Sequence, residues 1–117
     1  MSEKIRKGAM GEQLAVGYLE KKNYRILRRN YRFEHGEIDI VADDHGVLVF
    51  VEVKARGTRE FGEPEDAVTE SKRKKIRQTA DGYLFENGIE DRDCRFDVIG
   101  IEFEGQLPVI RHLEDAF

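Results

Sequence analysis

The run Val47-Leu48-Val49-Phe50-Val51, continued by Glu52-Val53-Lys54-Ala55, limits what this chain can fold into more than any other stretch. Five consecutive apolar residues, most of them β-branched or aromatic, suit a strand and leave neither of its faces for water. Such a strand belongs at the centre of a sheet, with a covering layer on each side. Its far end changes character: an acid and a lysine two residues apart share one face. Charges at the end of a core strand need a partner, because an unpaired buried charge is costly.

The flanking sequence supplies the layers. Met10, Leu14, Tyr18 and Leu19, with Ala15, recur at helical spacing and predict a helix from about Ala9 to Lys22 with that stripe buried. Glu12 lies at the edge of the stripe, where it either favours the positive end of the helix or reaches over the sheet. Tyr24–Phe33 alternates as a strand, Tyr24 and Ile26 on one side, Leu27 on the other. Glu34-His35-Gly36 turns into a second strand, Glu37–Ala42. Asp43-Asp44-His45-Gly46 turns into the third, Val47–Ala55. A Gly-containing loop, Arg56–Glu63, leads to a short helical turn opened by Pro64 and running through Val68. Thr69 is the expected N-cap of a long helix ending near Glu86, with Ile76, Ala80, Tyr83 and Leu84 inward and Lys72 at the head of the stripe. Lys72 there either snorkels to water or reaches a negatively charged site. Asn87-Gly88 closes the helix with a left-handed cap. Cys94–Phe103 is a fourth strand. After a turn at Glu104-Gly105-Gln106, Leu107–Leu113, carrying Pro108, is a short edge strand. The fold class is α/β, a sandwich with a mixed central sheet, since the return through the long helix permits parallel pairing. One domain is expected over residues 1–117.

The hairpin between the second and third strands carries the chemistry. If Asp43–Gly46 closes an even-numbered loop, Ala42 faces Val47 and Asp39 faces Phe50. Glu37, Asp39, Phe50, Glu52 and Lys54 then share one face, with Asp39 and Glu52 diagonal neighbours roughly 7–8 Å apart at the backbone. Two carboxylates at that spacing can share one ion. Mg²⁺ takes one or two protein carboxylates beside water and phosphate oxygens; Mn²⁺ is the alternative, and the Val53 carbonyl could add an oxygen. A bound metal lowers the pKa of an attacking water and offsets charge on a phosphodiester, while Lys54 would orient that water or steady the developing charge. The plainer alternative is an ion pair of Lys54 with Glu52 or Asp39 on a half-exposed face.

Composition narrows the classes. The chain has 117 residues, 38% charged against 39% apolar, and a net charge of −4, which argues against coating nucleic acid by bulk charge alone. The cations nonetheless cluster: Lys4, Arg6 and Lys7; Arg25, Arg28, Arg29 and Arg32; Lys72, Arg73, Lys74, Lys75 and Arg77. A single cysteine, Cys94, excludes an internal disulfide framework and reads as a small buried residue. His35, His45 and His112 are scattered, make no zinc pattern and read as surface residues. Asp97 reads as a partner of Arg95 or a backbone cap, and Tyr31 and Phe33 as core residues rather than platforms for stacking bases. Met1-Ser2-Glu3-Lys4 leads into charge instead of an apolar leader, and no run is long enough to span a membrane, so the expected location is the cytoplasm.

An acid, a hairpin, an E-x-K at the end of an apolar strand and then a basic helix together resemble the PD-(D/E)xK nuclease superfamily, with Ile38 where its leading proline stands. Gly8-Ala9-Met10-Gly11-Glu12, Asn30-Tyr31-Arg32, Gly36-Glu37-Ile38-Asp39-Ile40-Val41-Ala42, Phe50-Val51-Glu52-Val53-Lys54-Ala55-Arg56, Ala67-Val68-Thr69 with Lys72, and Arg95-Phe96-Asp97-Val98 resemble, in that order, the YraN-type uncharacterised family. The resemblance implies a restriction endonuclease-like fold of helix, three strands, helix and strand, related to archaeal Holliday-junction resolvases; the C-terminal strand is extra. It implies Asp39, Glu52 and Lys54 as a nuclease triad, Glu12 as an accessory metal-side acid, and branched or structured DNA as substrate. Arg32, Arg56, Lys72, Arg73 and Lys75 are the expected nucleic-acid contacts. A homodimer would join the modest basic patches of one subunit into a continuous surface. The competing expectation is a non-catalytic nucleic-acid binding module of the same fold.

Overall fold

Leu48, Val49, Phe50 and Val51 are all buried in the middle strand of a five-stranded sheet of order β1-β2-β3-β4-β5, as an apolar run without a polar face requires. The computed structural model of the chain describes residues 3–57, 68–103, 105 and 107–117, with side chains from residue 8 onward. In chain order the elements are α1 (Glu3–Lys21), β1 (Arg25–Phe33), β2 (Gly36–Asp44), β3 (Val47–Arg56), α2 (Glu70–Glu86), β4 (Cys94–Glu102) and β5 (Val109–Leu113). The turn expected at Pro64, most of the loop before it, Ala67, the side chains of Lys4, Arg6 and Lys7, and Glu104 and Gln106 lie outside the described residues. The first three strands are antiparallel neighbours, β4 runs parallel to β3 after the α2 crossover, and β5 closes the other edge antiparallel to β4. The result is a mixed α/β architecture compatible with a restriction endonuclease-like fold.

Each helix covers one face. Ala15, Val16 and Leu19 of α1 pack on Ile40, Ala42, Val49, Val51, Ile99 and Ile101. Ile76, Ala80 and Tyr83 of α2 pack on Tyr31, Ile38, Val41, Leu48, Phe50 and Val98. The buried line of α1 is Gly11-Ala15-Leu19, one step round from the expected stripe, and Met10 is 53% exposed. Small residues decide this. A Cβ on Gly11 would come within 2.6 Å of the Ala55 Cβ, so the helix lies close on β3 only because position 11 carries none.

Caps bound α2 as its sequence predicts. The Thr69 hydroxyl accepts the Lys72 N–H at 3.3 Å, and Ile89 N–H and Gly88 N–H return to the Leu84 and Phe85 carbonyls, which is a Schellman closure. Inside α2, Leu84 is only half-buried while Thr79 and Gly82 join the inward face.

The expected hairpin register is displaced by two residues. The turn is only His45-Gly46, with φ of 50° and 102°, so Asp44 pairs with Val47 and Ala42 with Val49. Two consecutive left-handed residues match the right-handed twist of the strands they join. Parity is kept.

Two residues exchange places relative to expectation. Cys94 opens β4 at the surface, because a strand's first residue precedes the covered part of the sheet. His112 is buried, with 3% of its side chain exposed: it lies opposite Ile99, and its Nε2 meets Asp97 Oδ2 at 2.7 Å. Asp97 also takes two bonds from Arg95 and the Asp115 N–H, so the expected pairing with Arg95 and the backbone both hold. This network ties β5 and the chain's last turn to the sheet. Tyr31 is core, edge-on to Tyr83, with its hydroxyl donating to Glu86. Among the described residues no helix is long and apolar enough to cross a membrane.

Candidate active site

The β2–β3 ladder ends at Ile40–Val51, one step short of Asp39 and Glu52. Strand alternation also fails at this point. Ile38 packs under α2 whereas Ile40 and Ala42 pack under α1, although residues two apart should share a face. On β1 the pairing passes from Arg29–Ile40 to Tyr31–Ile38 and skips Asn30, whose φ is 51°. Asparagine tolerates that left-handed conformation better than other branched or long residues. Both strands therefore exchange faces at Asn30 and Asp39.

The switch turns the Asp39 carboxylate toward β3. Its Oδ2 accepts the Val53 N–H at 2.8 Å, the bond that a β2 carbonyl would take if the ladder continued. Because a residue's N–H and C=O leave a strand on the same edge, the Val53 carbonyl is directed toward Asp39 as well. Glu52 and Lys54 project on the α2 side, where the Lys54 Nζ lies 3.8 Å from Glu52 Oε1. The ion pair expected as the plainer alternative is thus present, but it is largely buried, with 21% and 16% of the two side chains exposed.

Burial drives the electrostatics. Loss of water raises the Asp39 carboxyl above its ordinary range, against the pull of the Val53 N–H. Glu52 is pushed up to about 8, by burial first and then by the charge of Asp39, with which it also shares a hydrogen bond. Lys54 is lowered by burial and by its contact with Lys72, against the pull of Glu52. Glu12 is raised by burial and by Asp39, so the α1 acid does reach over the sheet toward the pair. The Asn30 amide, its nitrogen turned to the acids, donates to Glu12 Oε1 at 2.9 Å and to Glu37 Oε1 at 3.2 Å.

Lys72 is exposed, yet its charge acts on Glu52 and it lines a recess with Glu52 and Lys75, so it reaches the site from α2. Other expected nucleic-acid contacts lie farther out. Arg32 pairs with Glu37 at 3.3 Å, and Arg73 bonds the Val68 carbonyl and stacks over Phe117. Arg56 ends β3 two residues beyond Lys54. Asn30 is the residue whose role sequence reasoning missed; an asparagine in mid-strand, between Arg29 and Tyr31, was its signal. A wider cleft of about 460 Å³ between α1 and the β4–β5 connection has Met10, Leu14, Phe103 and Pro108 along it, and no titratable group in its described lining. It offers no chemistry of its own.

Residues 11–101 match the uncharacterised protein family UPF0102, a span that includes Glu12, Asp39, Glu52, Lys54 and Lys72. The chain belongs to this family. Among UPF0102 relatives, a protein of Alkaliphilus oremlandii is 48% identical over 119 residues and covers the whole of both chains. One from Geobacter metallireducens is 49% identical over 110 residues, 94% of this chain and 90% of its own. One from Symbiobacterium thermophilum is 50% identical over 102 residues, 87% of this chain and 85% of its own. This is the YraN-type family to which the six spaced motifs pointed.

The donor set fits a hard divalent cation. Two carboxylates pressed together out of water favour a shared proton or a cation between them, and the Val53 carbonyl is aimed the same way. Among the described residues no three acids, histidines or cysteines gather into a closed metal cage. Two carboxylates are what an open, water-bearing Mg²⁺ site uses.

Proposed function

We propose that this UPF0102 protein is a metal-dependent endonuclease that hydrolyses phosphodiester bonds in branched or otherwise structured DNA. One observation carries the reading: Asp39 and Glu52 meet at the broken end of the β2–β3 ladder with raised pKa values, and Lys54 lies beside them. A core sheet that spends stability on such a pair has a use for it.

In this reading Asp39, Glu52 and the Val53 carbonyl hold Mg²⁺ or Mn²⁺, with Glu12 as an accessory acid. The ion would supply charge neutralisation at the phosphate and a more acidic water. Lys54, whose burial lowers its pKa, orients that water or donates to the oxygen on which charge builds. Lys72 adds a second positive charge on the α2 side. Arg32, Arg56, Arg73 and Lys75 contact the flanking phosphates, which makes binding steeply salt-dependent.

The test is a cleavage screen over four-way junction, flap, single-stranded and duplex DNA with Mg²⁺ and with Mn²⁺. Metal-dependent cutting should disappear in Asp39→Ala and in Lys54→Ala while both variants stay folded. Cutting that survives both changes removes the assignment. Tight binding without cutting, and without heat on Mg²⁺ titration, identifies a binding module instead.

A further inference from the structure

We propose that the recess beside the β1–β2 turn takes one unpaired nucleobase of the strand being cut. This rests on the nuclease reading and names the substrate feature that the same site would select. The recess has a volume of about 220 Å³ and is lined by Phe33, Glu34, Lys75, Gln78 and Thr79. A second recess of about 160 Å³ contains Glu52 and Lys72 and shares Lys75 with the first, so the two adjoin across that side chain. A nucleotide whose phosphate lies at Glu52 would therefore have its neighbour beside Phe33.

The lining suits a base more than a sugar or a peptide. Phe33 is half-buried, and one side of its ring rests on α2 at Gly82, where an added Cβ would come within 2.4 Å of the ring. The helix thus backs the ring and holds it rigid, while the ring also lines the recess. An aromatic surface held in this way is a stacking platform, and stacking accepts every base. The polar edge is met by Gln78, whose amide offers both donor and acceptor, and by Glu34, an acceptor only. Thr79 is not a reader, because its hydroxyl is committed to the Lys75 carbonyl at 2.8 Å. Lys75 sits between the recesses, where the connecting phosphate would pass.

A base in an intact duplex is stacked between its neighbours and cannot enter a side recess. Extracting it costs unstacking energy that an unpaired base does not lose. The geometry thus selects a junction, bulge or flap over plain duplex, for a local reason independent of any overall DNA shape.

The test measures binding without metal, so that it does not depend on cleavage. 2-Aminopurine replaces single positions in a set of oligonucleotides that are matched except for one unpaired nucleotide. The unpaired probe should be quenched on binding and held about tenfold tighter than the paired one, within the range of a base–aromatic stack. In Phe33→Leu, which keeps an apolar side chain on Gly82, and in Gln78→Ala, at an exposed position, that affinity ratio should fall toward one. Equal affinities with no quenching in the wild type overturn this inference and leave the nuclease reading standing. An unchanged ratio in both variants does the same. Failure to bind any nucleic acid, with Mg²⁺ as well as without it, overturns both.

Discussion

Glu52→Gln should make the metal-free protein more stable, by an amount set by pH. A carboxyl whose folded pKa is raised favours folding fully below its unfolded value, near 4.5, and loses that contribution as pH rises through its folded value, about 8. Each pH unit between those limits is worth about 1.4 kcal/mol. The wild-type site therefore costs the fold about 3 kcal/mol at pH 7 and about 5 kcal/mol above pH 9, relative to a group that never ionises. Glutamine is such a group, and its amide can donate to Asp39 as the protonated acid does. Only 16% of the Glu52 side chain is exposed, so solvent screening removes little of this. For a chain of this length the gain at pH 7 corresponds to a rise in Tm on the order of 10 °C. The assay is thermal and urea unfolding of both proteins in a chelator at pH 4, 7 and 9. The difference should be near zero at pH 4 and grow with pH. Millimolar Mg²⁺ should then raise the Tm of the wild type and not of the variant. A Glu52→Gln protein less stable than wild type at pH 9, or a difference that ignores pH, would refute the reasoning.

Asp97→Asn should act in the opposite sense. Burial pushes that carboxyl up, but His112, Arg95 and the Asp115 N–H outweigh burial and hold it below the usual carboxylate range. Its contribution is present above an unfolded value near 3.8 and is lost as pH falls through the folded one. The substitution should cost about 3–5 kcal/mol in urea unfolding at neutral pH, since it strips a buried partner from Arg95; undiminished stability would dismiss the network as the tie for β5. Gly82→Ala should cost about 1–3 kcal/mol through overpacking on the Phe33 ring. Gly17→Ala, where a Cβ meets nothing within 4 Å, should instead gain about 0.5–1 kcal/mol of helix stability, and equal Tm shifts for the two would sink the packing argument. Thr69→Ala should lose about 1 kcal/mol with the N-cap of α2, read by the same unfolding curves.

Local signals were legible because their physics is local. The apolar run of β3, the Thr69 cap and the Asn87-Gly88 ending each follow from a few neighbouring residues, and each lies where expected. The hairpin was legible in parity but not in length. Asp43, Asp44, His45 and Gly46 are all good turn formers, and only the strand twist selects the last two. Met10 and His112 misled because each depends on something remote. The face of α1 is set by how closely Gly11 meets Ala55, and the burial of His112 by Asp97, fifteen residues away. A hydrophobicity count ranks Met10 above Gly11, whereas close packing ranks them the other way.

The break in alternation at Asn30 and Asp39 was the least legible feature, and it does most to form the site. Regular strands would have left Asp39 directly opposite Glu52, on one face, with the Val53 N–H bonded to a β2 carbonyl. Two like charges opposed in that way repel and gain nothing. By exchanging faces, β1 and β2 free the Val53 N–H for the Asp39 carboxylate and aim the Val53 carbonyl the same way. The same step leaves the Asn30 amide to bridge Glu12 and Glu37. Each departure is unfavourable alone: a left-handed non-glycine residue, a ladder cut short, a carboxyl whose pKa is raised by burial. Three of them coincide at one pair of acids, and β1 shifts register once more nearby, between Ile26 and Arg28; strain that clusters in this way is typical of functional sites. Glu52→Gln measures what that acid costs the fold, and the Mg²⁺ response lost with it is the discriminating half of the experiment, because burial alone gives the stabilisation without any response to metal.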